Sequence, residues 1–170
     1  EVAISVVICT RNRSESLKKC LDSLSMQTCM PREIIVVDNA PTDDSTKLTA
    51  DLFNGVTYCK EPRPGLDIAR NTGARVAQYP IVAYTDDDVR VDTLWSFRIW
   101  ETFLQENIDA MTGLVIASSL DTESQQIFEK HWGFNKGYQD VYFTSDYIYK
   151  SSTVPKVWEI GAGANMAFRK

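Results

Sequence analysis

The run IVAYTDDDVR, Ile81 to Arg90, closes an apolar segment with three adjacent carboxylates, Asp86, Asp87 and Asp88. Like charges this close disfavour one another's ionised forms. A divalent cation is the simplest partner for them. Hard ions such as Mg2+ or Mn2+ take oxygen ligands, and often use one or two carboxylates plus phosphate oxygens from a ligand. An ion held that way bridges a protein to a diphosphate and neutralises the charge that builds on it as it leaves. The pattern of an apolar run ending in polar residues occurs twice more. TRNR (Thr10 to Arg13) follows VAISVVIC, and Asp38-Asn39 follows EIIVV. Arg11, Arg13 and Arg70 supply positive charge near the same phosphates.

These clusters act together only if the elements carrying them run side by side. Val2–Thr10, Glu33–Ala40 and the run starting at Ile81 are nearly continuous and rich in β-branched residues. Such runs fit strands buried on both faces, as in a parallel sheet. Between them lie helical patterns. Leu17, Cys20, Leu21 and Leu24 fall on one helical face behind Ser14, a candidate cap. PTDDST opens a second helix, with Leu48, Leu52 and Phe53 expected on its apolar side and Asn54-Gly55 ending it. After the short strand VTYCKE and the stiff loop EPRPG, a third helix is expected from Leu66 to about Gln78, with Leu66, Ala69, Gly73, Val76 and Ala77 on one side. Tyr79-Pro80 breaks it. Asp92 is a candidate cap for an aromatic helix whose Trp95 and Trp100 are expected in the core, and AMTGLVIASS is expected to be a strand. A further helix is expected near Glu123 to Trp132. Alternation of strands and amphipathic helices predicts an α/β fold, with a mostly parallel central sheet and helices on both faces. In such sheets ligands bind beyond the carboxyl ends of the strands, which is where all three polar clusters fall.

Composition narrows the partners. The chain has 170 residues, 44% of them hydrophobic, and a formal net charge of -5. That is enough for one core of ordinary size, and there is no basic surplus to grip a nucleic acid. No apolar run reaches the roughly 18 residues of a membrane span. Cys9, Cys20, Cys29 and Cys59 show neither a CxxC nor a metal-finger spacing. They read as free, mostly buried thiols, which suits a reducing, cytoplasmic compartment. Neither a GxGxxG nor a P-loop follows the first strand. The absence of an initiator Met, and an end at NMAFRK, lead us to expect a piece of a longer protein.

In order along the chain, SVVICTRNR, EIIVVDNAPTDDS, PGLDIARNTGARVA, IVAYTDDDV, MTGLVIA and GAGANMAFRK resemble the inverting glycosyltransferase family 2, with its GT-A nucleotide-sugar-binding fold. The resemblance implies a single GT-A domain over residues 1–170, cut short at its C-terminal end. It implies an enzyme that moves a sugar from a nucleotide-diphosphate donor to an acceptor hydroxyl with inversion and metal assistance. Thr10, Arg11 and Arg13 then line the nucleotide pocket, Asp38 bonds the base, and Arg70 lies near the base or phosphates. DDD matches the family's DxD motif: Asp86 and Asp87 approach the ribose or the metal, and Asp88, with Asp86, holds Mg2+ or Mn2+. Gly161, Gly163 and Asn165 lie on the acceptor side, facing a carbohydrate or lipid-linked acceptor such as a growing polysaccharide. The full-length protein is then expected at the inner face of the membrane. The family's acidic general base follows the GANMAF segment, so the base is expected beyond Lys170. The fragment is expected to bind donor and metal but to transfer sugar poorly.

Other readings of the same residues remain. Thr10 also suits a strand end, Arg13 and Arg70 a helix surface, Asp38 a turn, and Trp158, Gly161 and Gly163 packing and turning. His131 suits a helix face. A nucleotidyltransferase on a related α/β fold would need a glycine-rich loop after the first strand, which TRNRSES lacks. A non-catalytic sugar-binding module is a third reading.

Overall fold

The computed structural model describes residues 1–105, 107–134, 137–149 and 160–170. Trp158 and the end of the aromatic segment GYQDVYFTSDYIYKSS lie outside the described residues. The elements run β1 (Val2–Thr10), α1 (Ser14–Ser25), β2 (Pro31–Asn39), α2 (Ser45–Ala50), β3 (Val56–Glu61), α3 (Leu66–Val76), β4 (Ile81–Asp86), α4 (Trp95–Phe103), β5 (Ala110–Thr112), α5 (Glu123–Trp132), α6 (Ser145–Tyr149) and β6 (Asn165–Arg169).

Among the described residues the strands form one sheet in the order β3-β2-β1-β4-β6-β5. β1 pairs in parallel with β2 on one side and β4 on the other, and β3 continues the parallel part. β6 is antiparallel to both β4 and β5. The sheet is therefore mostly parallel, as the alternating pattern predicts. β1 is central, and its Ile4, Val6, Val7 and Ile8 are wholly buried. The two faces bury different sets. Ile4, Val6, Ile8, Val36 and Ala83 pack with Leu17, Cys20, Leu21 and Leu24 of α1 and with Trp95, Ile99 and Phe103 of α4. Val7, Ile35, Val37, Val82 and Tyr84 pack with Ala69 of α3. Gly73 lets α3 lie close to the sheet, since a Cβ there would meet Val7 Cγ1 at 2.3 Å.

Several local expectations are corrected. α2 turns Leu48 to solvent and buries Thr46 and Ala50; Leu52, just past its end, is exposed too, and of the expected apolar side only Phe53 packs on the core. Six residues make fewer than two turns, and small side chains are what lie against the sheet. α1 has Arg13 at its N-cap and no side-chain cap bond, so Ser14 is its first residue rather than its cap. α3 stops at Val76 because Ala77 is extended (φ -50°, ψ 134°), and Leu66 and Val76 are not buried. Asp92 does not cap α4: its carboxylate accepts from Leu94 N in the turn just before it. The expected strand AMTGLVIASS shrinks to Ala110–Thr112. Among the described residues β5 pairs with β6 alone, whose first residue is Asn165, so the ladder runs out one residue past Thr112. Asn165 closes the register there, accepting from Gly113 N and donating its Nδ2 to Leu114 O. All four cysteines are free thiols, but only Cys20 is buried; Cys9, Cys29 and Cys59 are half-buried. No helix among the described residues is long and apolar enough to cross a membrane.

Candidate functional site

The parallel register sets the site. Thr10 of β1 lies beside Asp38 of β2, and Cys9 of β1 beside Asp86 of β4. Three polar strand ends thus share one edge of the sheet, on either side of the central strand. Between them is a pocket of about 360 Å³ whose walls include Thr10, Arg11, Arg13, Asp86, Asp87 and Asp88. Asn39, Gly65, Leu66 and Ala69 close the opposite wall, and Cys9 contributes to the lining. Burial pushes the Cys9 thiol up to about 12, which favours its neutral form.

The loop after β1 is shaped by Asn12, which takes a left-handed conformation (φ 54°), one that Asn tolerates better than most residues. Its Oδ1 accepts from Thr42 N at 3.0 Å. The next residue, Arg13, faces the acidic turn. Its Nη1 lies 2.9 Å from Asp87 Oδ1, and its Nη2 donates to Asp88 Oδ2 at 2.7 Å. Thr10 Oγ1 donates to the other Asp87 oxygen at 2.6 Å. Arg70, on α3, reaches Asp86 Oδ1 at 3.5 Å. The three carboxylates therefore do not converge. Asp87 turns inward, with its side chain 4% exposed, whereas those of Asp86 and Asp88 are 41% and 54% exposed. Burial raises the Asp87 carboxyl, with the Thr10 hydrogen bond and Arg13 opposing that rise. Two guanidinium groups of the protein itself thus offset the crowding of like charge that the sequence points to a cation to relieve.

The acidic turn is also held from behind. Cys20 Sγ contacts Asp86 O at 3.5 Å, Ser23 Oγ accepts from Val91 N, and Gln27 Nε2 donates to Asp92 O at 2.6 Å. A site mounted on such a braced turn keeps its side chains in place.

A second network shapes the opposite wall and was not singled out from the sequence. Asn39 Nδ2 donates to Arg63 O at 2.7 Å, and its Oδ1 accepts from Gly65 N at 2.9 Å. One amide thus pins both ends of the Arg63–Gly65 segment. Glu61 accepts from the Arg63 backbone N, from its guanidinium, and from Thr72 Oγ1 at 2.6 Å, tying this loop to α3. These bonds, led by that of the Arg63 side chain, pull the Glu61 carboxyl down to about 2. The EPRPG loop and the Asp38-Asn39 pair carried the signal. What the sequence does not reveal is that the Asn side chain folds back onto the loop.

Asp38 itself is wholly buried. Its Oδ2 accepts from Tyr58 Oη at 2.9 Å, and its Oδ1 makes no hydrogen bond of ordinary geometry. Burial raises its pKa, against the Tyr58 hydrogen bond. Gly163 lies against Arg70, where a Cβ would stand 2.9 Å from Nη2. Gly161 takes φ 147° beside Thr112. Asn165 accepts from Trp95 Nε1 at 2.9 Å and anchors β6. His131 is exposed on α5. A larger cavity, about 530 Å³, lies between residues 115–120 and α5, but Glu129 is the only charged group in its lining. The smaller pocket is the one with convergent polar groups.

The donor set bears on a metal. Among the described residues no three His, Cys, Asp or Glu side chains are grouped to hold an ion. Asp86 and Asp88 remain as two half-exposed, hard oxygen donors on the pocket rim. That set fits a Mg2+-like ion, which commonly takes one or two carboxylates and completes its shell with water and ligand phosphates.

A mostly parallel α/β sheet with an acidic and cationic pocket at its carboxyl edge defines a ligand-binding domain of GT-A architecture. The sequence pattern of glycosyl transferase family 2 matches residues 5–168, and the chain belongs to that family. It is 27% identical over 142 residues to Glycosyltransferase GlyA of Streptococcus pneumoniae serotype 4, covering 82% of this chain and 20% of GlyA. It also superposes on the mannosyltransferase PcManGT from Pyrobaculum calidifontis in complex with GDP-Man and Mn2+. There the TM-score is 0.61 and the identity 24%, over 69% of this chain and 36% of that one. S. aureus TarS in complex with UDP-GlcNAc gives a TM-score of 0.57 at 21% identity, over 70% of this chain and 36% of that one. The chain thus spans well under half the length of each.

Proposed function

We propose that these residues form the donor-binding part of a glycosyltransferase that moves a sugar from a nucleotide diphosphate to an acceptor hydroxyl with inversion. The observation that carries this is the meeting of Thr10, Arg13, Asn39 and the Asp86–Asp88 turn around one pocket at the carboxyl edge of the sheet. The family assignment supports the same reading, as do neighbours solved with GDP-Man or UDP-GlcNAc.

In this reading the nucleotide lies over the ends of β1 and β2. Asp38, wholly buried at the end of β2 and held by Tyr58, does not line the pocket, so the base contact expected of it requires its side chain or the groups covering it to shift. The pinned Arg63–Gly65 loop forms a wall ready before the ligand arrives, which lowers the ordering cost of binding. Arg11, Arg13 and Arg70 place positive charge beside the diphosphate. Asp86 and Asp88 hold Mg2+ or Mn2+, and such an ion, when bound, supplies charge neutralisation for the departing diphosphate. Gly161, Gly163 and Asn165 border the acceptor side, facing a carbohydrate or lipid-linked hydroxyl. Attack by that hydroxyl requires a general base to take its proton. Donor binding is the activity proposed for these residues.

Calorimetry with UDP-, GDP- and dTDP-sugars, with and without MnCl2, tests the reading. The expected result is heat of binding for at least one diphosphate sugar, increased by metal. Preference for a nucleoside triphosphate would instead favour a nucleotidyltransferase. Silence with every nucleotide would favour a sugar-binding module and overturn the proposal.

A further inference from the structure

Among the described residues, Arg13 is the one cation that touches two of the three carboxylates in the acidic turn. Its two terminal nitrogens divide between Asp87 and Asp88, at 2.9 and 2.7 Å. Those partners differ in their freedom to move. Asp87 is buried and keeps a second bond from Thr10, whereas Asp88 stands more than half exposed and, among the described residues, accepts a side-chain hydrogen bond from Arg13 alone. The arginine side chain is itself half exposed.

We propose that Arg13 acts as an internal stand-in for the divalent ion: its guanidinium occupies Asp88 until a metal takes that carboxylate, so that ion entry and release of this half of the arginine fork are a single exchange. The inference rests on the reading of Asp88 as a metal ligand given above. The exchange leaves the Asp87 half of the fork and the Thr10 bond intact, so no core group moves. It also leaves the freed nitrogen of Arg13 beside the pocket that the diphosphate enters. Arg13 is thereby a positioning residue for the site. It keeps the acidic turn ordered without metal and hands over one carboxylate when metal arrives.

The test is titration of the nucleotide-free chain with MnCl2, following loss of the free-ion signal by electron paramagnetic resonance. Arg13→Gln removes the competitor and a charge. Arg13→Lys keeps the charge but not the fork, because lysine is a point donor that does not bridge two carboxylates in this way. Arg11→Gln removes an equal charge from the same pocket without breaking the pair. A half-exposed charged pair is worth up to ~1 kcal/mol, so both Arg13 variants are expected to tighten Mn2+ by about fivefold. Arg11→Gln is expected to tighten it by no more than about twofold, the screened effect of one charge. Equal tightening by Arg11→Gln and Arg13→Gln, or no change in Arg13→Lys, overturns the exchange while leaving the metal site standing. Failure of wild type and every variant to bind Mn2+ removes the metal site, and the exchange with it.

Discussion

The first 105 residues and the arm from Gly113 to Tyr149 are built on different terms. In the first, side chains from β1, β2, β4, α1, α3 and α4 fill both faces of the sheet. In the second, no side chain is buried over residues 113–134 and 137–147; Ile127, Phe128, Trp132 and Tyr142 are exposed. α5 is nonetheless well specified locally, with a complete capping box in which Thr122 and Gln125 bond reciprocally. Local signals are therefore enough to place a helix but not to bury it. The acidic turn and its arginines belong wholly to the first region.

The sharpest way to break this contrast is truncation in the central strand. Ile8→Ala should cost about 2–5 kcal/mol in urea unfolding, as expected for a buried Ile with no room to collapse. A loss below ~1 kcal/mol would mean that β1 is not the centre of the core. Next is Gly73→Ala, where the added methyl meets Val7 Cγ1 at 2.3 Å. Overpacking of that kind typically costs about 1–3 kcal/mol, and an unchanged midpoint would show that α3 is free to lift from the sheet.

Legibility from sequence followed the same divide. Runs such as VAISVVICT and the Leu17–Leu24 face fold where their pattern points, because burial on both faces or on one stripe is what the pattern encodes. The placement of Thr10, Arg13 and the Asp86–Asp88 turn at one edge followed from the parallel order alone. Three things were not legible. Asp87 turns inward while its neighbours do not, because adjacent residues at a strand end alternate sides and a one-residue difference decides which meets Thr10. The Asn39 and Glu61 clamps depend on a loop folding back in space. The end of β5 at Thr112 depends on where β6 begins, more than fifty residues later.

The Glu61 clamp gives a smaller effect with a sign fixed by pH. Its carboxyl is depressed from 4.5 to about 2, so its stabilising contribution is present above pH 4.5 and is lost as pH falls toward 2. Asp38 and Asp87 are shifted the other way, so protonating them at acid pH favours the folded state. Thermal melts of Glu61→Gln against wild type should differ most above pH 4.5 and converge as pH approaches 2; a constant gap would show that the carboxylate charge does not hold the loop. Smallest of all is Ile127→Ser in the arm, expected to stay within about 0.5 kcal/mol of wild type. A larger loss would mean that α5 is covered in solution.

The placement of β6 between β4 and β5 has a consequence for how the polypeptide is made. While a ribosome is still extending the chain past Asp86, the outer rim of β4 has no companion, and it gains one only when Asn165–Arg169 emerge. Until then that rim is an open ledge of unpaired amides and carbonyls, the kind that recruits stray strands. Shortened versions stopping ahead of Asn165 would keep the ledge permanently, and would be expected to clump rather than to fold into a smaller sheet.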